Sequence, residues 1–300
     1  MFLDSFGWQP ARQDARLRSV ARLEASGGDI WAMMKLLVLT DTHLVEAGGD
    51  IIGLDPSARL TQVLDHAVAH HPDAARIVIL GDLTHHGRAA QYGELRNVLV
   101  HLDIPVSLML GNHDDRASFV AEFPEAPLTE QGHVQHVVEL GRHRLICLDS
   151  FDANAEPRHS GVLCDGRMTW LRRALEAAKG DPVTLALHHP PFMTGLDGMD
   201  DIRLRTDDEL HALIAEFPNV VQLLCGHVHR TISGGARGTP YATFKGTCHQ
   251  TPMYLGVSGS DHSIDEAGGY GVVLFTDDGV IVHNDDLAPR GEPTVDGHSA

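Results

Sequence analysis

Short apolar runs alternate with amphipathic segments along the first third of the chain. Residues 35–39, 76–80 and 106–110 are largely apolar, which predicts three buried strands. Between these runs, apolar residues recur at helical spacing over residues 57–71 and 89–102. The resulting β-α-β-α-β order is the pattern of an α/β fold whose strands run parallel.

The pattern becomes richer in strands after Asp114. It predicts a β-hairpin, then alternating helices and strands, then short strands and a second hairpin that turns at Asp277-Asp278-Gly279. These elements cover residues 134–140, 143–148, 168–179, 183–187, 207–217, 220–224, 241–244, 270–275 and 280–284. Two strand-rich halves flanked by helices predict a four-layer αββα sandwich of two mixed β-sheets.

The ends of the chain differ from this regular middle. Residues 33–287 are predicted to form one domain, and residues 288–300 a frayed tail. Residues 1–32 are polar and rich in arginine, and are interpreted as an extension that either is disordered, lies upstream of a translation start at Met33 or Met34, or forms a short surface helix over residues 11–25. They contain no apolar stretch typical of a secretory signal.

The composition of the chain limits which kinds of molecule it can bind. The chain of 300 residues has a formal net charge of −18, which argues against binding a nucleic acid polymer through its phosphates. A small phosphate ester is not excluded, because bound cations can invert the local field. No apolar run reaches the roughly 18 residues that span a membrane. Four cysteines without a CxxC pair predict buried thiols in a reducing, cytoplasmic compartment.

A polar motif follows each of five predicted strands. The motifs are Asp41-Thr42-His43, Gly81-Asp82, Gly111-Asn112-His113-Asp114, His188-His189 and Gly226-His227-Val228-His229. The carboxyl ends of strands in open α/β sheets are where ligands gather. Carboxylates, imidazoles and amides are ligands of hard or borderline divalent metals. One such motif alone would more commonly be a structural turn, but five together predict a metal site.

The order and types of these motifs resemble the calcineurin-like binuclear metallophosphoesterase family over about residues 35–250. Two further segments are similar to bacterial class III cyclic nucleotide phosphodiesterases and to the related glycerophosphodiesterases. These segments are Leu187-His188-His189-Pro190-Pro191 and Gly246-Thr247-Cys248-His249-Gln250. The resemblance implies hydrolysis of small phosphodiesters by in-line attack of a hydroxide that bridges two metals.

The resemblance also implies a role for each motif residue. One metal would be bound by Asp41, His43 and His229, and the second by Asn112, His188 and His227. Asp82 would bridge the two ions. The nitrogen and oxygen ligands suit Fe, Mn, Zn or Co and leave the identity of the metals open.

Other residues near these motifs have expected roles outside metal binding. His113 would protonate the leaving alkoxide, and with Asn112 would contact the substrate. His85 and His249 are further candidate substrate contacts, and His86 is considered with them. Two more residues are interpreted either as orienting the imidazoles or as ordinary turn residues, namely Asp114 and His189.

Several alternatives remain open on the sequence alone. Motif similarity slightly favours cyclic 3′,5′-nucleotides over glycerophosphodiesters, with selectivity set by loops 44–56, 115–131 and 192–206. A phosphomonoesterase or protein phosphatase is the alternative, although Arg88 is displaced from the position expected in serine/threonine phosphatases. A non-catalytic scaffold is disfavoured because no motif residue is missing. The last hairpin either forms a homodimer or closes its own sheet.

Overall fold

Two mixed β-sheets pack face to face, with helices on both outer faces. The computed structural model describes residues 33–260 and 262–287. The first sheet has the order β11-β10-β1-β2-β3 and the second the order β4-β5-β6-β7-β9-β8. The first comprises β1 (Met34–Leu39), β2 (Arg76–Ile79), β3 (Val106–Leu108), β10 (Gly269–Thr276) and β11 (Gly279–Asp286). The second comprises β4 (His136–Leu140), β5 (His143–Leu148), β6 (Val183–Leu187), β7 (Val220–Cys225), β8 (Ile232–Ala236) and β9 (Thr239–Thr243).

Six helices connect these strands within the described residues. They are α1 (Pro56–His70), α2 (Ala89–Leu99), α3 (Arg116–Glu122), α4 (Asp165–Ala177), α5 (Asp197–Asp200) and α6 (Asp207–Ile214). The predicted αββα sandwich is therefore confirmed. None of the helices described is long and apolar enough to cross a bilayer. The alternative of a short helix over residues 11–25 falls outside the described residues, as do residues 288–300.

Side-chain alternation along the strands builds three apolar layers. In β1, Leu37 and Leu39 pack with residues of α1 and α2 such as Leu60 and Leu95. The intervening Leu36 and Val38 point the other way and pack against the second sheet. Because β1, β2 and β3 are parallel and covered on both faces, they are almost entirely apolar.

The second sheet repeats this arrangement. In β6, Leu185 and Leu187 pack on the outer face with Leu171 of α4 and Leu210 of α6. Ala186 faces inward and packs with the first sheet. Strands β5, β6 and β7 are parallel, so their carboxyl ends meet at one edge of the sandwich.

Three elements were not predicted from the sequence. Helix α3 lies in a segment predicted as a loop, and begins where the Asp115 side chain accepts a hydrogen bond from Ser118 N at 2.8 Å. Its sequence shows no helical spacing of apolar residues that face the core, because only Phe119 of its seven residues is buried. Helix α5 is a single turn. Strand β8 has the sequence ISGGA, whose glycines give no strand signal.

The fold bears on two smaller expectations. Strand β10 pairs antiparallel with β1 over Met34–Val38, so the last hairpin closes its own sheet and leaves β11 at the edge. The prediction that all four cysteines are buried is wrong for Cys164, which is exposed just before α4. The other three thiols are buried.

Candidate metal centre

The chain turns sharply as it leaves the strands that carry the motifs. Five motif residues have positive φ angles although none is glycine, namely Asp41 (53°), His43 (46°), Asp82 (47°), His227 (72°) and His229 (46°). Such conformations are uncommon for residues with a Cβ and cost on the order of 1–3 kcal/mol each. Their concentration at one edge of the sandwich indicates that the fold holds these side chains in place for a function.

Close approach of the two sheets explains two of the glycines in the motifs. A Cβ atom at Gly111 would collide with His188 of the second sheet and with the Asp82 carboxylate, and one at Gly226 would collide with the Thr40 hydroxyl of the first sheet. Any larger residue at either position would push the motif loops apart. These glycines therefore permit the side chains of both sheets to converge.

One cluster of convergent side chains is formed by Asp41, His43, Asp82 and His229. All four are buried, and one ligand atom of each lies within 4.8 Å of the others. His229 Nε2 lies 3.2 Å from Asp41 Oδ1 and 3.1 Å from His43 Nε2. His43 Nε2 also lies 3.6 Å from Asp82 Oδ2. The cluster brings together the residues predicted for the first metal.

The hydrogen bonds around this cluster fit a bound cation. His229 Nδ1 donates to the His249 carbonyl at 2.9 Å, which leaves a lone pair on Nε2 when the ring is neutral. That lone pair faces His43 Nε2 and the Asp41 carboxylate. Asp41 Oδ1 has no hydrogen-bond partner of good geometry among the described residues. A cation between these atoms would turn mutual repulsion into coordination.

A second cluster is formed by Asn112, His188 and His227 beside the same Asp82. His188 Nε2 lies 3.3 Å from Asp82 Oδ2 and 3.2 Å from Asn112 Oδ1. His188 Nδ1 donates to the Leu80 carbonyl at 3.1 Å. His227 Nε2 is buried and lacks a hydrogen-bond partner among the residues described. These donor atoms also suit a cation.

Asp82 stands between the two clusters. Its Oδ2 atom approaches an imidazole of each, while its Oδ1 atom accepts a hydrogen bond from the backbone N of His113 at 2.8 Å. One carboxylate is therefore shared by both groups of potential ligands.

Burial and charge act against each other at this site. Burial disfavours the charged form of Asp82, yet His188 and the other nearby imidazoles hold its pKa well below the usual range. Burial also opposes charging of His188, but the Asp82 and Asp41 carboxylates raise the pKa of His188 to about 9. Without metal, His188 would thus hold a proton that balances the carboxylates. A bound cation replaces that proton.

His113 lies outside the four-residue cluster and the second cluster. Its Nδ1 atom donates to the His85 carbonyl at 2.9 Å. Its ring lies between two nearly parallel imidazoles, His85 at 5.3 Å and His159 at 5.1 Å between ring centroids. Both ring contacts and the carbonyl restrict its orientation.

His159 belongs to the site but was not predicted from the sequence. It lies in the long connection between β5 and α4, and its Nδ1 accepts a hydrogen bond from Asn112 Nδ2 at 3.1 Å. This bond turns Asn112 Oδ1 towards His188. No apolar run precedes His159, so the strand-end pattern that reveals the other residues gives no signal for it.

His189 and Asp114 support the loops of the site. The ring of His189 packs 4.8 Å from the rings of His188 and His227, with which it forms a group of closely spaced ligand atoms. His189 Nδ1 accepts from Ser150 Oγ at 2.8 Å and its Nε2 donates to the His159 carbonyl at 3.2 Å, so neither nitrogen is free to bind a metal. Asp114 accepts hydrogen bonds from Gly111 N, Leu83 N and the Tyr92 hydroxyl. Asp114 therefore ties motif loops together and does not orient an imidazole.

The two candidate substrate contacts lie beside the first cluster. The ring of His249 is buried, 4.7 Å from His229 and 5.0 Å from His43 between centroids, and burial lowers its pKa to about 3. His85 is half-buried, and its Nδ1 lies 3.2 Å from His43 Nδ1. His86 is exposed.

The calcineurin-like phosphoesterase model matches residues 34–231 of the chain. The chain belongs to the calcineurin-like phosphoesterase family. It is therefore a metal-dependent phosphoester hydrolase, as the motifs predicted. The match covers all the residues of both clusters.

Similar curated proteins are named as phosphodiesterases. The chain is 40% identical over 251 residues to a probable cyclic nucleotide phosphodiesterase of Rhodopseudomonas palustris, covering 83% of this chain and 91% of the relative. It is 30% identical to the 3′,5′-cyclic adenosine monophosphate phosphodiesterase of Pseudomonas aeruginosa, covering 83% and 88%. It is 32% identical to a glycerophosphodiester phosphodiesterase of Enterobacter lignolyticus, covering 73% and 79%.

A solved structure shares the fold. A dimetal phosphatase from Danio rerio superposes with a TM-score of 0.65 at 13% identity, covering 85% of this chain and 98% of that one. At this identity the similarity shows the architecture alone.

Proposed function

We propose that this hydrolase cleaves small phosphodiesters using two divalent cations. The observation that carries the proposal is the position of Asp82, whose Oδ2 lies 3.6 Å from His43 Nε2 on one side and 3.3 Å from His188 Nε2 on the other. A shared carboxylate between two sets of buried, metal-facing donors is suited to two ions. Asp41, His43 and His229 would hold one, and Asn112, His188 and His227 the other.

The protein's residues would divide the work of hydrolysis. When bound, the cations neutralise phosphate oxygens and lower the pKa of water towards about 7. Asn112 contributes a neutral oxygen, which makes its half of the centre less negative than the half that contains Asp41. His113 donates its Nδ1 proton to a carbonyl, so Nε2 is the atom that would transfer a proton to the leaving alkoxide.

Cyclic 3′,5′-nucleotides are the proposed substrates, ahead of glycerophosphodiesters. The support is the name of the relative that is 40% identical, together with that of the Pseudomonas aeruginosa enzyme. The net charge of −18 further disfavours long polyanions. All seven proposed ligands belong to one chain, so the proposed activity does not require a homodimer. We place this activity in the cytoplasm.

Hydrolysis of bis(p-nitrophenyl) phosphate tests the reaction class. Protein treated with chelator should lose activity, and Mn²⁺ should restore it. No turnover with Mn²⁺, Fe²⁺, Zn²⁺ or Co²⁺, in protein shown to be folded, would contradict the proposal.

A substrate panel then tests the diester preference. We expect cyclic AMP to be hydrolysed with a higher kcat/KM than glycerophosphocholine, and both with a higher value than p-nitrophenyl phosphate. A preference for the monoester would instead support the alternative, a phosphomonoesterase on the same centre.

A further inference from the structure

The loop after Asp82 holds His85 in a fixed place. The backbone N of His85 donates to the Leu44 carbonyl at 2.9 Å, and the preceding Thr84 is bound through its hydroxyl to Asp114 at 3.1 Å. The Thr84 hydroxyl also accepts from Gly87 N at 3.0 Å, which closes the loop. The position of His85 therefore follows from the backbone and does not depend on a bound substrate.

The side chain of His85 meets His43 on the face opposite the metal cluster. Their Nδ1 atoms are 3.2 Å apart, whereas His43 Nε2 faces Asp82 and His229. His43 can bind a cation through Nε2 only if that nitrogen has no proton. Its ring proton then sits on Nδ1 and requires an acceptor, and the neighbouring Nδ1 of His85 is positioned to accept it.

Two other metal-facing imidazoles, those of His229 and His188, satisfy Nδ1 with backbone carbonyls. His229 donates to the His249 carbonyl and His188 donates to the Leu80 carbonyl. Backbone carbonyls are common partners of metal-binding histidines, since they fix the tautomer and the ring orientation. His43 differs from these two because a side chain takes the place of the carbonyl, so this contact can be removed by substitution.

We propose that His85 is a positioning residue, which holds His43 in the tautomer and orientation that present Nε2 to the cation. The inference rests on the proposed role of His43 as a metal ligand. It assigns His85 a purpose different from the substrate contact expected from the sequence. The same residue also holds His113 through its carbonyl, and this second contact persists in any side-chain variant.

Two variants of nearly equal shape separate these roles. His85→Asn retains an acceptor near the position of Nδ1, whereas His85→Leu removes it. Mn²⁺ binding to chelator-treated protein is measured by calorimetry without substrate. We expect His85→Leu to bind Mn²⁺ about 10–100-fold more weakly than the wild type, the usual effect of losing such a partner, and His85→Asn to recover most of that loss.

Control variants and kinetic measurements distinguish the positioning role from a folding defect and from a substrate contact. Circular dichroism establishes that each variant is folded, and His86→Ala, an exposed neighbour in the same loop, should leave Mn²⁺ affinity unchanged. At saturating Mn²⁺, turnover by His85→Leu should rise towards that of the wild type. Unchanged Mn²⁺ affinity in folded His85→Leu, or equal losses in the Leu and Asn variants, would overturn the inference. An increased KM that persists at saturating Mn²⁺, with unchanged affinity, would instead establish a substrate contact.

The binding measurement is independent of the substrate. If the wild type binds Mn²⁺ but fails to hydrolyse diesters, the proposed function fails while the positioning role is still tested. If the wild type binds no divalent cation, both the proposed function and the positioning role of His85 are contradicted.

Discussion

The two sheets contribute chemically different ligands to the proposed metal centre. Loops after β1, β2 and β3 of the first sheet supply Asp41, Asp82 and Asn112, whose ligand atoms are oxygens. Loops after β6 and β7 of the second sheet supply His188, His227 and His229, whose ligand atoms are nitrogens. His43 is the one imidazole among the proposed ligands that comes from the first sheet.

This difference shows why the centre depends on the packing of the sheets. The buried carboxylates of the first sheet need positive charge, and the imidazoles of the second sheet face them at 3.2–3.3 Å. Asp41 also accepts a hydrogen bond from the backbone N of His227 at 3.0 Å, which links the two sheets directly. The first sheet supplies both carboxylates and the second sheet supplies three of the four proposed imidazole ligands, so each proposed cation site needs residues from both sheets.

Removal of the shared carboxylate should have the largest effect. Asp82→Ala deletes the oxygen that lies between both clusters, so we expect loss of both cations and a fall in diester hydrolysis of more than about 10⁴-fold, a large part of typical enzymatic acceleration. Elemental analysis and hydrolysis assays measure the two effects. Asp103→Ala, an exposed carboxylate, is the control. Retention of a full metal complement would contradict the shared role.

Removal of His113 should separate catalysis from metal binding. His113→Ala deletes the proposed acid and no proposed ligand, so turnover should slow by about 10²–10⁴-fold while metal content stays near that of the wild type. Substrates with better leaving groups should lose less activity, because they need less protonation. Metal loss in this variant would show that His113 belongs to the centre itself.

Substitution of Asn112 should distinguish the two proposed cation sites. Asn112→Ala removes a neutral oxygen and the contact with His159, so one of the two cations should bind about 10–100-fold more weakly. Asn112→Asp adds a carboxylate and should strengthen binding of the same ion. Metal titration by calorimetry should resolve the two steps. If Asn112→Ala weakened the binding of both ions equally, the result would contradict the proposal that the two cation sites differ.

The smallest effect concerns a second place where the sheets meet. His136 of β4 contacts Ser107 of β3 through Nε2 at 3.2 Å, and burial, together with Arg76, lowers the pKa of His136 to about 4. Below the unfolded pKa of 6.5 the unfolded chain binds the extra proton, so stability falls as pH decreases from 6.5 towards 4. When the pH is lowered from 7 to 5, the free energy of unfolding should fall by about 2 kcal/mol less in His136→Gln than in the wild type.

Urea unfolding of chelator-treated protein at both pH values measures this difference. The metal-facing histidines titrate in the wild type and the variant alike, so their contribution cancels in the comparison. An equal pH dependence of the two proteins would show that folding does not lower the pKa of His136.

Strand-end motifs made most of the centre predictable from sequence. Each proposed ligand follows an apolar run, and the carboxyl ends of parallel strands meet at one edge. His159 was missed because it lies in a long connection, where position depends on packing and not on periodicity. Helix α3 was missed because it buries too few residues to show a helical pattern.

The sequence by itself determined the sandwich and the residue types of the centre, because alternation of apolar and polar positions specifies strands and helices locally. Only the tertiary structure decided which nitrogen of His43, His188 and His229 faces the centre and what holds it there. His85 could not be distinguished from a substrate contact until its distance to His43 was known. Such contacts join residues 42 positions apart in the chain, and local sequence patterns carry no information about them.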